Sequence, residues 1–377
     1  MSIVYAVAHH AVSALGPDVS AHWQMVSRVQ TGIRRYEDAA FSAAPFWASM
    51  PDPAHWQMIS ARSASRSLTA FERLAFYSAS RALQETDIDP AGGDTAFILS
   101  TTKGNIELLG REDDPRLLLS HSAGVVAEAL GITTVPLVVS HACVSGVIAL
   151  QYGLGLIRSG RYRNVVVTGC DRFSRFVLSG FQSFQAVAGA PCRPFDAERK
   201  GINLGEAAAT IILSAGPGDE PLARLVSGAT SNDANHISGP SRTGAELAMA
   251  IHSALQQAGI AAADIGMISA HGTATVYNDE MEAKAFGLAG LQHVPVHSLK
   301  GFTGHTLGAA GILESVLVIE GLRHQQLIPS PGYGQSGVSV PLNVTRNPQL
   351  ADIRFVLKTA SGFGGSNAAI VWQRLSD

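Results

Sequence analysis

The feature that most restricts how this chain can fold is a long alternation of two segment types. Apolar runs rich in β-branched residues fall near 2–8, 95–99, 135–139, 164–168, 209–213, 222–227, 266–270, 294–297, 353–358 and 369–372. Helix-length segments separate many of them, at 19–29, 69–86, 119–130, 144–158, 244–258, 278–287 and 307–323, several ending near a glycine such as Gly131, Gly160 or Gly259. Continuous apolar strands are those covered on both faces, so the alternation predicts an α/β fold with sheets buried under helices. Ile3–Ala14 is short, lacks a basic leader and contains His9 and His10, so it reads as a first strand and not a signal peptide. No run is long enough to cross a bilayer, and a cytoplasmic location is the default expectation. Gly216, Pro217, Gly218 and Pro221 mark 214–221 as a seam, dividing the chain into an N-terminal half, 1–217, and a C-terminal half, 218–377.

The length of 377 residues suits two domains or one large duplicated body. With 46% hydrophobic and only 15% charged residues, much apolar surface is available for a partner interface, so an oligomer is expected. A net charge of −3 with no basic block gives no electrostatic footprint for nucleic acid. The clusters Arg62/Arg66 and Arg158/Arg161/Arg163 read as scattered solvated charges. Cys143, Cys170 and Cys192 form neither a disulfide framework nor a CxxC zinc pattern.

The sharpest local feature is Val135-Pro136-Leu137-Val138-Val139-Ser140-His141-Ala142-Cys143-Val144-Ser145-Gly146, an apolar strand that runs through small residues into an apolar helix. A cysteine there meets the positive end of a helix dipole, which favours thiolate, although free cysteines are as often inert and buried. Two histidines follow in glycine-rich settings, His271 in Ser-Ala-His-Gly-Thr-Ala-Thr and His305 in Lys-Gly-Phe-Thr-Gly-His-Thr-Leu-Gly-Ala-Ala-Gly. Ser361-Gly362-Phe363-Gly364-Gly365-Ser366-Asn367 lies between two closing strands, where it serves either as a tight hairpin or as half of an oxyanion hole.

Taken in order, these segments resemble the β-ketoacyl-acyl-carrier-protein synthases, decarboxylating condensing enzymes with one cysteine and two histidines. The likeness spans nearly the whole chain. It includes Arg193-Pro194-Phe195-Asp196 followed by Gly205-Glu206, Asp279 with Glu282, and Ser298-x-Lys300. The resemblance implies the thiolase fold, a five-layered αβαβα body of two pseudo-symmetric halves, each with a mixed sheet. It also implies a homodimer or a heterodimer with a related chain, paired across the strand near 135–140. By the family pattern Cys143 is acylated by an acyl carrier protein, and His271 and His305 assist decarboxylation of a malonyl-carrier thioester through Nε2. The backbone N–H groups of Cys143 and Phe363 form the oxyanion hole. Lys300 pairs with Glu314 or Glu282, and Asp279 supports the site. Thr273 and Thr275 hold the phosphopantetheine arm, Gly364 lies by the substrate, Phe363 is a gate and Phe181 a wall of the acyl pocket. Neither a metal nor a redox cofactor is implied.

The sequence departs from the housekeeping pattern at Ser100-Thr101-Thr102-Lys103-Gly104-Asn105-Ile106, usually glycine-rich, and at His141-Ala142, usually Thr-Ala. These departures favour a specialised synthase, of a polyketide or aryl polyene pathway, at least as much as a fatty-acid enzyme. A non-catalytic, chain-length-determining subunit is the alternative, but such subunits lose the cysteine or a histidine, and all three are present. A thiolase needs a second cysteine in the C-terminal glycine motif, which here reads Gly364-Gly365-Ser366-Asn367.

Overall fold

A computed structural model describes residues 2–63, 67–110, 114–234 and 239–375; Arg66 lies outside the described residues. All ten apolar runs form strands of one sheet: β1 (Tyr5–Val12), β2 (Thr95–Ser100), β3 (Leu137–Val139), β4 (Asn164–Asp171), β5 (Ala207–Ser214), β6 (Ala223–Asn232), β7 (Ile265–Ser269), β8 (Val296–His297), β9 (Phe355–Gly362) and β10 (Ser366–Gln373). From the middle outward, one side runs β1-β5-β4-β2-β3 and the other β6-β10-β9-β7-β8. The second order is the first with five added to each strand, so the two halves repeat one topology. On both sides the two inner pairings are antiparallel and the two outer ones parallel. The halves meet at a short antiparallel contact, Tyr5 opposite Arg224 and Ala6 opposite Ala223. Each half carries a mixed sheet, as the resemblance implies, and this contact joins the two edge to edge into ten strands.

Six helices complete the layers: α1 (Ala70–Leu83), α2 (Leu119–Leu130), α3 (Ser145–Arg158), α4 (Ala245–Ala258), α5 (Val276–Leu288) and α6 (Ala310–Arg323). Alternate residues of each strand face opposite layers. In β4, Val165 and Val167 pack inward with Leu150 of α3 and Leu313 of α6, while Val166 packs outward with Leu74 of α1 and Val126 of α2. In β9, Val356 and Ala360 join the central cluster, and Leu357 faces Ile251 of α4 and Phe286 of α5. The central pair α3 and α6 is therefore covered by sheet on both sides. From Ala310 to Leu322 every residue of α6 is buried, so it shows no polar face.

The crossing of α3 and α6 is set by two glycines. A Cβ on Gly146 would lie 2.9 Å from the backbone nitrogens of Gly311 and Ile312, and one on Gly311 would lie 2.5 Å from that of Val147. Backbone meets backbone only because neither residue has a side chain. The sequence did not show helices at Pro53–Arg62 and Arg175–Ser183, which are short and weakly patterned or flank the cavity. Of the arginines read as solvated, Arg62 donates to Ser80 Oγ at 3.0 Å and Arg158 is partly buried, donating to the Val226 carbonyl at 2.6 Å. Among the described residues no helix is long and apolar enough to cross a membrane.

Candidate active site

Cys143 ends the β3–α3 connection. Ala142 is held at φ +45°, and Ser145 Oγ closes the turn by accepting from the His141 N–H at 2.7 Å and donating to the Ala142 carbonyl at 2.6 Å. The thiol thus sits just ahead of the α3 N-terminus, and it is buried. The topologically equivalent connection, from β8 to α6, carries Lys300 and His305. Because α3 and α6 touch at Gly146 and Gly311, the two connections are brought together. His271 follows β7. Cys143 Sγ and one ring nitrogen from each of His271 and His305 all lie within 4.8 Å of one another, and the two rings meet edge to face at 5.3 Å.

Each histidine is fixed through its backbone. The His271 and Gly272 N–H groups donate to Glu282 at 2.8 and 2.6 Å, while the His271 carbonyl accepts from Lys300 Nζ at 2.7 Å. The His305 N–H donates to the Asn203 carbonyl at 2.7 Å. Leu307 N–H donates to His305 Nδ1 at 3.2 Å, which makes Nδ1 the unprotonated nitrogen and leaves the proton on Nε2. That Nε2 is buried and has no hydrogen-bond partner among the described residues. Leu307 and Ala274 adopt φ +52° and +62°, so a left-handed non-glycine residue lies beside each of the three side chains.

Burial, aided by Lys300 and Lys358, drives both imidazoles well below their ordinary pKa, so they are neutral. Burial also pushes the Cys143 thiol up to about 11, against the opposing pull of Lys300 and Lys103. Desolvation thus outweighs the opposing fields of these lysines and favours thiol over thiolate.

Of the two carboxylates the sequence offered for Lys300, Glu314 is the partner, at 2.6 Å. Its second oxygen binds Lys358, also at 2.6 Å. Glu282 instead takes the His271 loop, and Asp279 accepts the Phe195 and Ala274 N–H groups at 2.7 and 3.1 Å. Burial raises Asp279 to about 7.

A cavity of about 450 Å³ opens over Cys143, His271 and His305, and its wall includes Phe181, Thr273, Thr275, Phe363 and Gly365. Gly364 is not on that wall. The Phe363 ring is stacked on Phe181 at 5.8 Å and meets Phe184 edge-on at 5.7 Å. Gly362 ↔ Ser366 closes the β9–β10 hairpin, and a Cβ on Gly362 would lie 3.1 Å from Cys143 N. The segment is both the tight hairpin and a wall of the site. Phe184, Lys200, Tyr277 and Asn278 also line the cavity and were not singled out from sequence. They sit in loops and helix starts without a motif. His141 Nε2 bonds Ser366 Oγ, tying the Cys143 turn to that hairpin.

Comparisons with known proteins bear on the family and the fold. Residues 3–216 match the β-ketoacyl synthase N-terminal domain and residues 222–333 its C-terminal domain. The chain is 30% identical to the tetracenomycin polyketide synthase ketoacyl synthase alpha subunit of Streptomyces glaucescens, over 95% of this chain and 94% of that protein. It is 32% identical to a putative polyketide beta-ketoacyl synthase 1 of Streptomyces halstedii over 66% of this chain, and the match spans 63% of that relative. Identity to 3-oxoacyl-[acyl-carrier-protein] synthase 2 of Vibrio cholerae is 28%, over 69% of this chain and 67% of that protein. The structure of the ishigamide ketosynthase/chain length factor superposes with a TM-score of 0.88 at 25% identity, covering 100% of both chains.

Proposed function

The chain belongs to the β-ketoacyl synthase family, a family of condensing acyltransferases, and on that premise we propose that Cys143 is the acylated nucleophile while His271 and His305 serve the decarboxylation. The observation that carries this reading is the approach of Cys143 Sγ to both imidazoles within 4.8 Å, beneath the cavity. In the first half-reaction the Cys143 sulfur attacks an acyl thioester on the phosphopantetheine arm of an acyl carrier protein. The carrier thiol leaves with the proton, and the Cys143 and Phe363 N–H groups hold the oxyanion, each good donor worth roughly 3 kcal/mol.

In the second half-reaction a malonyl-carrier thioester loses carbon dioxide. The electron pair moves onto the thioester oxygen, which accepts from Nε2–H of His305 and from His271. The Leu307 contact on Nδ1 holds that Nε2 proton in place. The carbanion then attacks the acyl carbonyl, and Cys143 leaves and is reprotonated. Thr273 and Thr275, whose hydroxyls lie 2.8 Å apart on the cavity wall, suit an amide-rich arm. The family models end at 216 and begin at 222, which supports a boundary between halves at 217/218.

The polyketide relatives support a specialised pathway, and the ketosynthase/chain length factor likeness supports a dimer with a related chain. All three reacting side chains are present and assembled, which favours the catalytic reading over a chain-length subunit. Mass spectrometry of the chain with a panel of acyl-loaded carriers should show an adduct on Cys143, absent in Cys143→Ala. His305→Ala should keep that adduct and lose most malonyl decarboxylation. Full condensation by either variant would remove the assignment.

A further inference from the structure

Resting on that reading, we propose that Lys358 is a positioning residue of the condensing reaction, holding together with Lys300 the three successive carbonyls that end in His271. Lys358 lies on β9 opposite Ser269 and is fully buried. Its ammonium donates to the carbonyls of Ser269 at 3.3 Å, Ala270 at 3.4 Å and Thr359 at 2.7 Å. Lys300 takes the next carbonyl, that of His271, at 2.7 Å. One carboxylate, Glu314, serves both ammoniums, with one oxygen 2.6 Å from each. The strand end that delivers the His271 ring is thus clamped by two lysines locked to a single anion on the central helix α6.

Burying one ammonium is costly and burying two beside each other more so, so a purely structural role would be better filled by an apolar side chain of the same length. The charged and titratable groups around the histidines are Lys300, Lys358, Glu314 and Glu282, with Asp279 on the His271 loop, Asp171 on the His305 loop and Cys143 facing both rings. Both lysines oppose protonation of His271 and His305, so Lys358 also helps keep these rings neutral for proton donation through Nε2.

The test is Lys358→Met, assayed separately for acyl transfer onto Cys143 and for malonyl-carrier decarboxylation across pH. A displaced reacting group costs on the order of 10²-fold. Decarboxylation should fall by up to that factor while acyl transfer changes less. Removing a neighbouring cation lets the imidazoles take up a proton more readily, so the acid limb of decarboxylation should move to higher pH by on the order of one unit. Lys358→Met/Glu314→Gln, which removes one charge of each sign, should return that limb toward its original pH. Lys358→Gln keeps a donor for the carbonyls and is read for the same pH shift should the Met variant not accumulate folded. An unmoved acid limb with equal losses in both half-reactions overturns the proposal, as does the failure of both single variants to fold. Inactivity of the unaltered chain in both half-reactions would instead remove the reading of Cys143 and the histidines.

Discussion

Gly146→Ala tests whether the crossing of α3 and α6 sets the distance between nucleophile and histidine. The new Cβ would stand 2.9 Å from Gly311 N and Ile312 N and 3.0 Å from Gly311 Cα, all backbone atoms that no side-chain rotation can clear. Ordinary contact requires roughly half an ångström more, so the helices must separate. Overpacking of this kind costs about 1–3 kcal/mol, and the better helix propensity of alanine returns about 1 kcal/mol. The net loss of stability is therefore small, on the order of 0–2 kcal/mol. Catalysis is more sensitive, because Cys143 lies three residues before Gly146 and His305 lies on the other helix's approach. A displacement of the reacting atoms by about 1 Å can cost about 10²-fold. Gly155, in the same helix, has nothing within 4 Å of its would-be Cβ. Gly155→Ala should gain about 1 kcal/mol and leave condensation unchanged. Urea unfolding and a carrier-loaded condensation assay on both variants decide the matter. If Gly146→Ala condenses at the unaltered rate, the glycine contact does not set the site.

Two further expectations follow from titrating groups. With the Cys143 thiol pushed up to about 11 by burial, its thiolate fraction and its alkylation by iodoacetamide should rise about tenfold per pH unit from 7 to 9; a plateau near pH 8 would show that the helix terminus and the lysines outweigh burial. Glu320 is held down to about 2, because hydrogen bonds and charge from His9 and Arg323 overcome the opposing effect of burial. A depressed carboxylate stabilises the fold above its unfolded pKa, near 4.5, and loses that contribution as pH falls through about 2. Glu320→Gln should therefore destabilise the fold at neutral pH, by about 1–3 kcal/mol in urea unfolding, with the difference from the unaltered chain shrinking steadily below pH 4.5.

The strands were legible because burial on both faces writes itself as an uninterrupted apolar run, and each such run became a sheet strand. Short or half-exposed elements carry no such signal, and Pro53–Arg62 and Arg175–Ser183 were not visible. At the site, Cys143 stood out by its place between an apolar strand and an apolar helix, and His271 and His305 by their glycine-rich settings. Lys358 did not, since a lysine inside an apolar strand shows nothing of the carboxylate and carbonyls that surround it. The choice of Glu314 over Glu282 was equally hidden. Both lie on helices within reach of the loop, and only the register of α6 against β9 brings Glu314 between two lysines. The two influences on the thiol differ in the same way: a helix terminus can be inferred from local sequence, whereas desolvation depends on what the rest of the chain packs over it.

The duplicated topology explains why the chemistry sits where it does. Cys143 ends the connection from β3 to α3, and Lys300 and His305 occupy the matching connection from β8 to α6. Equivalent connections in two related halves can meet only near the axis that relates them, and here the meeting is enforced by Gly146 against Gly311. Both central helices begin there, so the N-terminal ends of two helix dipoles converge on one point. On the proposed reading, a thioester oxyanion formed at that point gains from both. Lys300 and Lys358 bind carbonyls and Glu314 and are not on the cavity wall, where the lysine is Lys200. Ala142 and Leu307, one in each connection, and Ala274 in the His271 loop adopt left-handed backbone conformations, at about 1–3 kcal/mol each. That strain is sustained by the mainly apolar packing of α3 and α6 between the two halves of the sheet, with Glu314 and its two lysines at the site, so the core that stabilises the fold is also what holds Cys143 and the histidines together.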